Sequence, residues 1–445
     1  MMRMPTGPDE TGKVMVDVEL EAAERDAEIA LARELAEGEG RVGDVGLPPV
    51  DSEAIEAAAA ARAVIRGRRQ WPLPKRAVAD APLLAVENLR THFKLESGWV
   101  KAVDGVSFRL NDGEALGLAG ESGCGKTTTA LSLVRLLPAN ARIRKGSAME
   151  LFGIDLVPKT EDQLRRYRWR EISIVFQGAM NALNPVRRIG EQIAEPIEVR
   201  LGLSQDVARK RASELLELVG IPRQRAASYP HELSGGMRQR TMIAMALACD
   251  PAIVIGDEPT TALDVMVQAQ ILELLERLRR ELGLSLILIT HDLSVIAETC
   301  DRTLIMYAGK VAEEGPVSRI FSAPRHPYTQ KLLAAFPNIH ADRRSLETIP
   351  GSPPDLRNPP AGCRFNPRCS FAMDICREVE PPEVVYPDGV RVACHLHVSG
   401  RDGAVGVTSA EVVGRRPALP VVPSQAVVSP ASVVGAGPAA GGPTA

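Results

Sequence analysis

Short apolar runs alternate with longer stretches of helical periodicity through the middle of the chain. Runs such as residues 253–255 and 284–290 contain no charged residue, which is typical of strands buried on both faces of a parallel sheet. Between such runs, apolar residues recur every three or four positions, as they do on the buried face of a helix. The alternation from about residue 83 to residue 320 therefore predicts an α/β fold with a largely parallel core sheet.

The regions on either side of this pattern differ from it in composition. Residues 1–80 are rich in Ala and Glu, and we expect an N-terminal extension that is either partly helical, over residues 21–38, or disordered. Residues 321–398 are Pro-rich and contain four of the seven cysteines, which predicts a small C-terminal domain. Residues 399–445 consist mainly of Pro, Ala, Val and Gly, a composition that predicts a disordered tail.

One basic stretch within the N-terminal extension has two interpretations. Residues 62–76 contain six basic residues and no acidic one, with Trp71 among them. The stretch is either a solvated tether or a contact with a membrane surface or a partner.

Composition and charge narrow the class of protein. The chain has 445 residues, 24% of them charged, and a net charge of -3, which gives no sign of nucleic-acid binding. The acidic N-terminus lacks the apolar stretch of a secretory signal. No apolar run reaches the roughly 18–20 residues that cross a bilayer. We therefore expect an intracellular protein whose thiols stay reduced.

A glycine-rich segment lies between a predicted strand and a predicted helix. "GESGCGKTT" (120–128) fits the pattern G-x-x-x-x-G-K-[ST]. It follows the apolar run "EALGLAG", and a helical pattern follows it and ends at Pro138. This order of strand, loop and helix is the context that a phosphate-binding loop requires. The residues predicted on the buried face of the helix are Ala130, Leu133, Val134 and Leu137.

The chemistry of this loop suits a nucleoside triphosphate. Glycines let backbone N–H groups turn toward the phosphates, and the helix N-terminus adds the positive end of its dipole. Lys126 is placed to contact the β and γ phosphates, and the Thr127 hydroxyl to bind Mg²⁺. The predicted ATP-binding residues of the loop are Gly120, Glu121, Ser122, Gly123, Cys124, Gly125, Lys126, Thr127 and Thr128.

Two adjacent carboxylates follow another predicted strand. In "PAIVIGDEPT" (251–260), Asp257 comes at the end of the apolar run, where ligands of open α/β sheets bind. Asp257 would hold Mg²⁺, directly or through water. Glu258 is then placed to orient or deprotonate the attacking water, which makes it the predicted catalytic base.

Three further motifs complete an ordered set. They are "LSGGMRQR" (233–240), "TALDV" (261–265) and "ITHD" (289–292). With them, about residues 83–320 resemble an ATP-binding cassette (ABC) ATPase, which is a P-loop nucleotide-binding domain with a helical subdomain. A lone phosphate-binding loop would also fit a kinase or a GTPase, whereas the full set does not.

The resemblance implies that two cassettes close head to tail on two ATP molecules. The "LSGGMRQR" motif would then contact the ATP bound by the partner cassette. Asp264 would link the two sites across the dimer. The residues implied to contact the partner's ATP are Ser234, Gly235, Gly236 and Gln239.

The resemblance also implies roles for three single residues. His291 would contact the γ phosphate of its own ATP. Gln177, in "IVFQGAMNALNP", would be the glutamine that senses Mg²⁺ and touches the membrane partner. Phe93, in "THFKL", would stack on the adenine ring.

Four clustered cysteines require a separate explanation. Cys363, Cys369, Cys376 and Cys394 are separated by 5, 6 and 17 intervening residues. Zinc sites usually show pairs separated by two to four residues, and four thiolates can also hold a [4Fe–4S] cluster. Disulfides are disfavoured in a reducing compartment. Spacing alone leaves zinc and an iron–sulfur cluster open.

The sequence around the cysteines narrows the choice. "FSAPRHPYTQKLLAAFP" (321–337), "GCRFNPRCSFAMDICREVEPP" (362–382) and "RVACHL" (391–396) are similar to the C-terminal extension of dipeptide/oligopeptide importer cassettes. That resemblance implies a [4Fe–4S] cluster on Cys363, Cys369, Cys376 and Cys394. Ser370 stands where the family commonly has Pro, and this departure changes no ligand. His395 and His397 are alternative ligands.

The resemblance implies an ATPase that energises the uptake of di- or oligopeptides from the cytoplasmic face of the cell membrane. The implied partners are a second, distinct cassette subunit, two transmembrane permease subunits and an extracytoplasmic substrate-binding protein. One alternative is the same role in a nickel or glutathione importer. Another is a soluble, non-transport cassette ATPase, although those usually carry two cassettes or long coiled-coil insertions.

Overall fold

The computed structural model describes residues 81–178, 182–261, 263–335, 349–398 and 405–406. The helix predicted within residues 21–38, the basic stretch at 62–76 and nearly all of the predicted tail lie outside the described residues. We call residues 321–335 and 349–398 the C-terminal extension.

The described residues form fourteen strands and ten α-helices. The strands are β1 Leu84–Leu95, β2 Gly98–Leu110, β3 Ala115–Ala119, β4 Ala141–Ile143, β5 Ala148–Leu151, β6 Ile154–Asp155, β7 Ile172–Val175, β8 Ile253–Asp257, β9 Ser285–Ile289, β10 Arg302–Tyr307, β11 Lys310–Pro316, β12 Glu383–Val385, β13 Arg391–Ala393 and β14 Val405–Gly406. The helices are α1 Lys126–Leu133, α2 Glu161–Leu164, α3 Ile189–Leu201, α4 Gln205–Leu218, α5 Gly235–Ala246, α6 Val265–Leu282, α7 Leu293–Thr299, α8 Val317–Ser322, α9 Pro327–Ala334 and α10 Ile375–Glu378.

The central sheet has the predicted parallel core. Its nine strands run in the order β14-β12-β13-β11-β10-β3-β9-β8-β7, and neighbours from β10 to β7 are parallel. Every residue of β3, β8 and β9 is buried, because both faces of the sheet are covered. The uninterrupted apolar runs of the sequence are therefore the middle strands of this sheet.

Two hydrophobic clusters cover its faces. An antiparallel sheet of β1, β2, β4, β5 and β6 packs on one side, where Val86 and Phe108 join Ile287 of β9 in one cluster. On the other side, Leu215 of α4 and Leu274 of α6 belong to a second cluster with apolar residues of the sheet.

The longest helix shows how the local sequence specifies an element. Asp264 precedes α6, and its side chain accepts a hydrogen bond from the Val267 N–H at 2.8 Å, which caps the helix. Gly283 ends it with φ of 59°, a left-handed conformation that glycine adopts without strain. The buried residues between these ends recur at helical spacing: Ile271, Leu272, Leu274, Leu275, Leu278 and Leu282.

The helix after the phosphate-binding loop is shorter than predicted. α1 ends at Leu133, although the sequence pattern continues to Pro138. Arg135 has φ of 55°, which no helix contains. Ala130, Leu133 and Val134 are buried as expected, whereas Leu137 is only half-buried and lies beyond the helix.

The C-terminal extension adds its strands to the cassette's own sheet. β12 and β13 form a hairpin, and β13 pairs antiparallel with β11 through Glu313 with Val392 and Glu314 with Arg391. The domain boundary predicted at residue 320 stays a prediction. Across the described ranges, the structure contains no helix with the length and apolarity that a bilayer span requires.

Candidate active site

Four neighbouring strands end at the same edge of the central sheet. β3, β9, β8 and β7 are adjacent and parallel, so the segments that follow them meet there. Those segments carry the phosphate-binding loop, His291, Asp257 with Glu258, and Gln177. The topology therefore brings together side chains that lie far apart in the sequence.

Two glycines of the phosphate-binding loop are required by its backbone. Gly120 has φ of 141° and Gly125 has φ of 110°. A Cβ at Gly120 would lie 2.2 Å from the carbonyl oxygen of Met306, and one at Gly125 would lie 2.3 Å from that of Ala102. Neither position admits a side chain, so the glycines let the loop turn tightly against the strands below.

Lys126 is held inside the loop by backbone carbonyls. Its Nζ donates to the carbonyl oxygen of Gly120 at 2.7 Å and to that of Glu121 at 3.1 Å. The side chain is buried. Its positive charge would attract an anion that enters the loop. Cys124 lies beside it, and burial raises the pKa of that thiol, which keeps it neutral.

Thr127 and Asp257 supply two oxygens that fit Mg²⁺. The Thr127 hydroxyl donates to Oδ1 of Asp257 over 3.2 Å. Burial raises the pKa of Asp257; the Thr127 hydrogen bond opposes this shift, and the neighbouring charge of Glu258 adds to it. Mg²⁺ in such sites binds one or two protein oxygens together with phosphate oxygens and water, and this pair provides that number.

Glu258 is at the centre of a group of polar side chains. Its Oε2 accepts hydrogen bonds from Gln177 Nε2 at 2.8 Å and from the Thr261 hydroxyl at 2.9 Å. His291 Nδ1 lies 3.5 Å from its Oε1. The backbone of Glu258 has φ of 48°, which is unusual for a residue with a side chain. The Glu258 N–H donates to the Ile289 carbonyl. Such strained positions are frequent at functional sites.

The "LSGGMRQR" motif begins a helix. The exposed Ser234 caps α5 by accepting a hydrogen bond from the Met237 N–H at 3.3 Å. A Cβ at Gly236 would lie 2.7 Å from Cγ1 of Val267, so this glycine also permits close packing of α5 on α6. Gln239 is 4% exposed, and its Nε2 has no hydrogen-bond partner within the described part of the chain. The structure thus buries a side chain for which the resemblance implied contact with a partner's ATP.

Asp264 lies directly before α6, and Phe93 lies on β1. Asp264 is exposed and caps α6, and the two residues after it, Val265 and Met266, are 82% and 63% exposed. Phe93 is half-buried on β1, where it pairs with Val100 of β2 and with Ala141 of β4. The roles of both residues toward nucleotide stay predictions.

The sequence did not predict three contacts of this site. Thr261 bonds Glu258, and it lies within the quoted motif "TALDV". Tyr328 and Arg368 both reach Glu121 of the phosphate-binding loop from the C-terminal extension. No local sequence pattern predicts these two contacts, because 207 positions separate Tyr328 from Glu121 and 247 positions separate Arg368 from it.

The four clustered cysteines share one neighbourhood. All four are free thiols, and the Cys363 N–H donates to the Cys376 carbonyl at 2.8 Å. Burial, together with interaction with the other three thiols, raises the pKa of Cys394 to about 12. Burial likewise raises the pKa of Cys363 to about 11. Among the described residues, however, no three His, Cys, Asp or Glu side chains are arranged to hold a metal ion.

Comparison with known proteins identifies two family matches. The ABC transporter family profile matches residues 103–261. The profile for the C-terminal region of oligopeptide/dipeptide transporters matches residues 312–376. The first match contains the phosphate-binding loop and both carboxylates, and the second contains three of the four clustered cysteines.

Two curated proteins and one solved structure are similar to parts of this chain. A peptide import ATP-binding protein of Brucella abortus is 52% identical over 304 residues, which cover 68% of this chain and 91% of that protein. A peptide ABC transporter ATP-binding protein of Sinorhizobium fredii is 47% identical over 315 residues, 70% of this chain and 94% of that protein. Among solved structures, the dimeric cassette MJ0796 bound to ADP and phosphate is 28% identical with a TM-score of 0.48, and the match covers 53% of this chain and 98% of that one.

Proposed function

The chain belongs to the ABC transporter ATP-binding proteins, and we propose that it hydrolyses ATP to energise the import of di- or oligopeptides. The observation that carries the proposal is the edge of the central sheet. There, Thr127 bonds Asp257, and Gln177 bonds Glu258. The match of the C-terminal extension to peptide transporters supports the substrate class.

The side chains at this edge have separate tasks. Lys126 and the backbone of the loop bind the phosphates of ATP. Thr127 and Asp257 would hold Mg²⁺, which neutralises charge on the β and γ phosphates when bound.

Glu258 accepts the proton of the attacking water. Gln177 and Thr261 orient its carboxylate through their hydrogen bonds. His291 is 70% exposed at the open side of the site, from which it can donate to the γ phosphate.

A second cassette would complete the site. We assign Ser234, Gly235 and Gly236 to the ATP of that partner, which is a related but distinct subunit. The exposed Val265 and Met266 beside Asp264 support this assignment, because two apolar side chains in water favour burial against another surface. Gln239 is buried, and it would have to change rotamer to reach the partner's ATP.

The membrane partners would contact the surface near Gln177. Phe176 is 36% exposed and Val186 80% exposed on either side of this segment. Two permease subunits at the cytoplasmic face of the membrane would cover these side chains. An extracytoplasmic binding protein would deliver the peptide. Movement of Gln177, which bonds Glu258 directly, would couple the state of the ATP site to the membrane partner.

We also propose that Cys363, Cys369, Cys376 and Cys394 bind a [4Fe–4S] cluster. Their shared neighbourhood and the mutual effect of their thiols on pKa support this proposal. Their present arrangement is not that of a formed metal site, so binding would require side-chain rotation and loss of the thiol protons. Protein purified without oxygen should contain about four iron atoms per chain. One zinc per chain, or no metal, would contradict the proposal.

Transport in living cells tests the proposed function. Cells that lack this chain would be complemented with wild type or with Glu258→Gln, and uptake of labelled dipeptides, tripeptides, pentapeptides and nickel would be measured. We expect wild type alone to restore peptide uptake. Restored nickel uptake with unchanged peptide uptake would keep the cassette mechanism and replace the substrate. Capture of the chain with its permease subunits separates a transporter from a soluble cassette ATPase.

A further inference from the structure

Every polar group of Glu121, the second residue of the phosphate-binding loop, has a partner. Its carbonyl oxygen accepts from Lys126 Nζ at 3.1 Å. Its N–H donates to the Tyr328 hydroxyl at 2.9 Å. Its carboxylate accepts from Arg368, with Nη1 at 2.6 Å from Oε2 and Nη2 at 2.8 Å from Oε1. The last two partners belong to the C-terminal extension.

Arg368 is itself fixed on several sides. Its Nε donates to the Pro350 carbonyl at 2.8 Å, and its Nη1 also donates to the Tyr307 hydroxyl at 3.2 Å. The side chain is 5% exposed, whereas that of Glu121 is 24% exposed. Two parallel N–H···O bonds fix the direction of a carboxylate as well as its position. The guanidinium therefore acts as a rigid anchor for one residue of the loop.

The contacts form a continuous chain from the C-terminal extension to the phosphate-binding lysine. Arg368 donates to the carboxylate of Glu121, and the Tyr328 hydroxyl accepts from the Glu121 N–H. The Glu121 carbonyl in turn accepts from Lys126. Arg368 also neutralises the negative charge that Glu121 brings to the phosphate-binding loop. Loss of the Arg368 charge would both loosen the loop and expose the phosphates to repulsion.

We propose that Arg368 is a positioning residue for ATP binding, acting through Glu121 on the phosphate-binding loop. The inference rests on the ATP site of the proposed function, and it adds a contribution from the C-terminal extension to that site. It assigns to the extension a direct effect on nucleotide affinity, separate from any cluster on the cysteines.

A second buried arginine of the extension provides a matched control. Arg364 is also 5% exposed and pairs with a partly buried carboxylate, Asp104 of β2. It also bonds the carbonyl of Ala308. Neither partner belongs to the phosphate-binding loop. Removal of either arginine takes a charged donor from a carboxylate, but only Arg368 bonds a carboxylate of the loop. Asp104 keeps a second partner, His92 Nε2, at 3.2 Å.

The test measures Mg-ATP affinity of the purified full-length chain by competition with a fluorescent ATP analogue. We expect Arg368→Gln to weaken Mg-ATP binding about tenfold or more, since charge-assisted hydrogen bonds have strengths of that order. Arg364→Gln should leave the affinity within about twofold of wild type. The double variant Glu121→Gln with Arg368→Gln should bind more tightly than Arg368→Gln alone, because the unpaired charge is gone. A merely structural role would not produce this rescue.

Three outcomes would decide against the inference. Equal affinity of wild type and a folded Arg368→Gln variant would overturn this inference and leave the proposed function unchanged. Equal weakening by both arginine variants would also overturn it, since the effect would then belong to the extension in general. Absence of ATP binding by wild type would overturn the proposed function too. Should Arg368→Gln not fold, Glu121→Gln and Arg368→Lys make the same comparison, and unchanged affinity in both would contradict the inference.

Discussion

The strand edge that carries the nucleotide site and the C-terminal extension are held in place by different interactions. At the edge, the five-residue strands β3, β8 and β9 are wholly buried and paired in parallel. In the extension, β12 and β13 have three residues each and α10 has four. Side-chain contacts attach the extension to the cassette. The ring centroids of Phe365 and Tyr307 are 5.1 Å apart, and the buried Arg364 and Arg368 bond cassette carboxylates.

This difference indicates what each region can do. A backbone framework of adjacent strands places catalytic groups without depending on any one side chain. A region with little regular structure depends on a few buried pairs, each of which is costly to break from one side. We therefore expect substitutions at the edge to affect nucleotide binding or hydrolysis directly. Substitutions in the extension should affect stability or the position of the loop that the extension contacts.

The largest effect should come from Glu258→Gln at the edge. Without a carboxylate to accept the proton, ATP turnover should fall by about 10²- to 10⁴-fold, while ATP binding persists. Phosphate release by the assembled transporter measures the first quantity, and nucleotide affinity the second. The same substitution at the exposed Glu298 is the control. Normal hydrolysis by Glu258→Gln would show that another group is the base.

In the extension, Arg364→Gln should lower the free energy of unfolding by about 1.5–3 kcal/mol, the range for hydrogen bonds to charged groups, because Asp104 loses Arg364 but keeps His92 Nε2 at 3.2 Å. Chemical denaturation measures this change. Little loss would show that the extension is held by its other contacts.

This pair should also depend on pH. Burial acts to raise the pKa of Asp104, but the charges of Arg364 and Lys310 overcome that effect and lower it. The stabilisation is therefore present above the pKa of an unfolded aspartate, about 3.9, and is lost as pH falls through the lower folded value. Arg364→Gln should lose less stability than wild type over that range. An identical acid profile for both proteins would contradict the pairing.

Lys126→Ala should weaken ATP binding by about 10- to 100-fold, since it removes a charged donor to the phosphates. The change lies at the edge, so the free energy of unfolding should change much less than with Arg364→Gln. Calorimetric titration with Mg-ATP measures the affinity, and Lys94→Ala, at an exposed position, is the control. Affinity unchanged by Lys126→Ala would exclude this loop as the phosphate site.

A smaller effect should appear in the pH dependence of Mg²⁺ binding. Burial raises the pKa of Asp257, so protons compete with Mg²⁺ at higher pH than they would at an ordinary aspartate. The affinity for Mg²⁺ in the presence of ATP should fall as pH drops through this raised pKa, by up to about tenfold per pH unit. Asp257→Asn should bind Mg²⁺ weakly at every pH. A pH profile shared by both proteins would exclude Asp257 as the titrating ligand.

The sequence predicts the strand edge well because its signals are local. An uninterrupted apolar run marks β8, and the residue that ends it, Asp257, must lie at the carboxyl edge of a parallel sheet. The same reasoning placed the loop after β3. The local pattern was wrong for the end of α1. The positive φ of Arg135 excludes this residue from a helix, although the apolar spacing continues to Leu137.

The extension could not be predicted in the same way. Its pairing of Arg368 with Glu121 joins positions 247 apart, and no periodicity in either segment specifies the other. The burial of Gln239 is a similar case, since the motif shows its position on α5 but not the packing that covers its side chain. Such contacts depend on the finished tertiary structure.

The separation of the two regions can be tested most directly by measuring two quantities on two variants. Mg-ATP affinity and the maximal rate of phosphate release would be determined for Glu258→Gln and Arg368→Gln, each in the assembled transporter. We expect Glu258→Gln to keep the affinity and lose the rate. We expect Arg368→Gln to lose affinity and keep most of the rate at saturating ATP. Loss of the same quantity in both variants would contradict the division of tasks between the strand edge and the C-terminal extension.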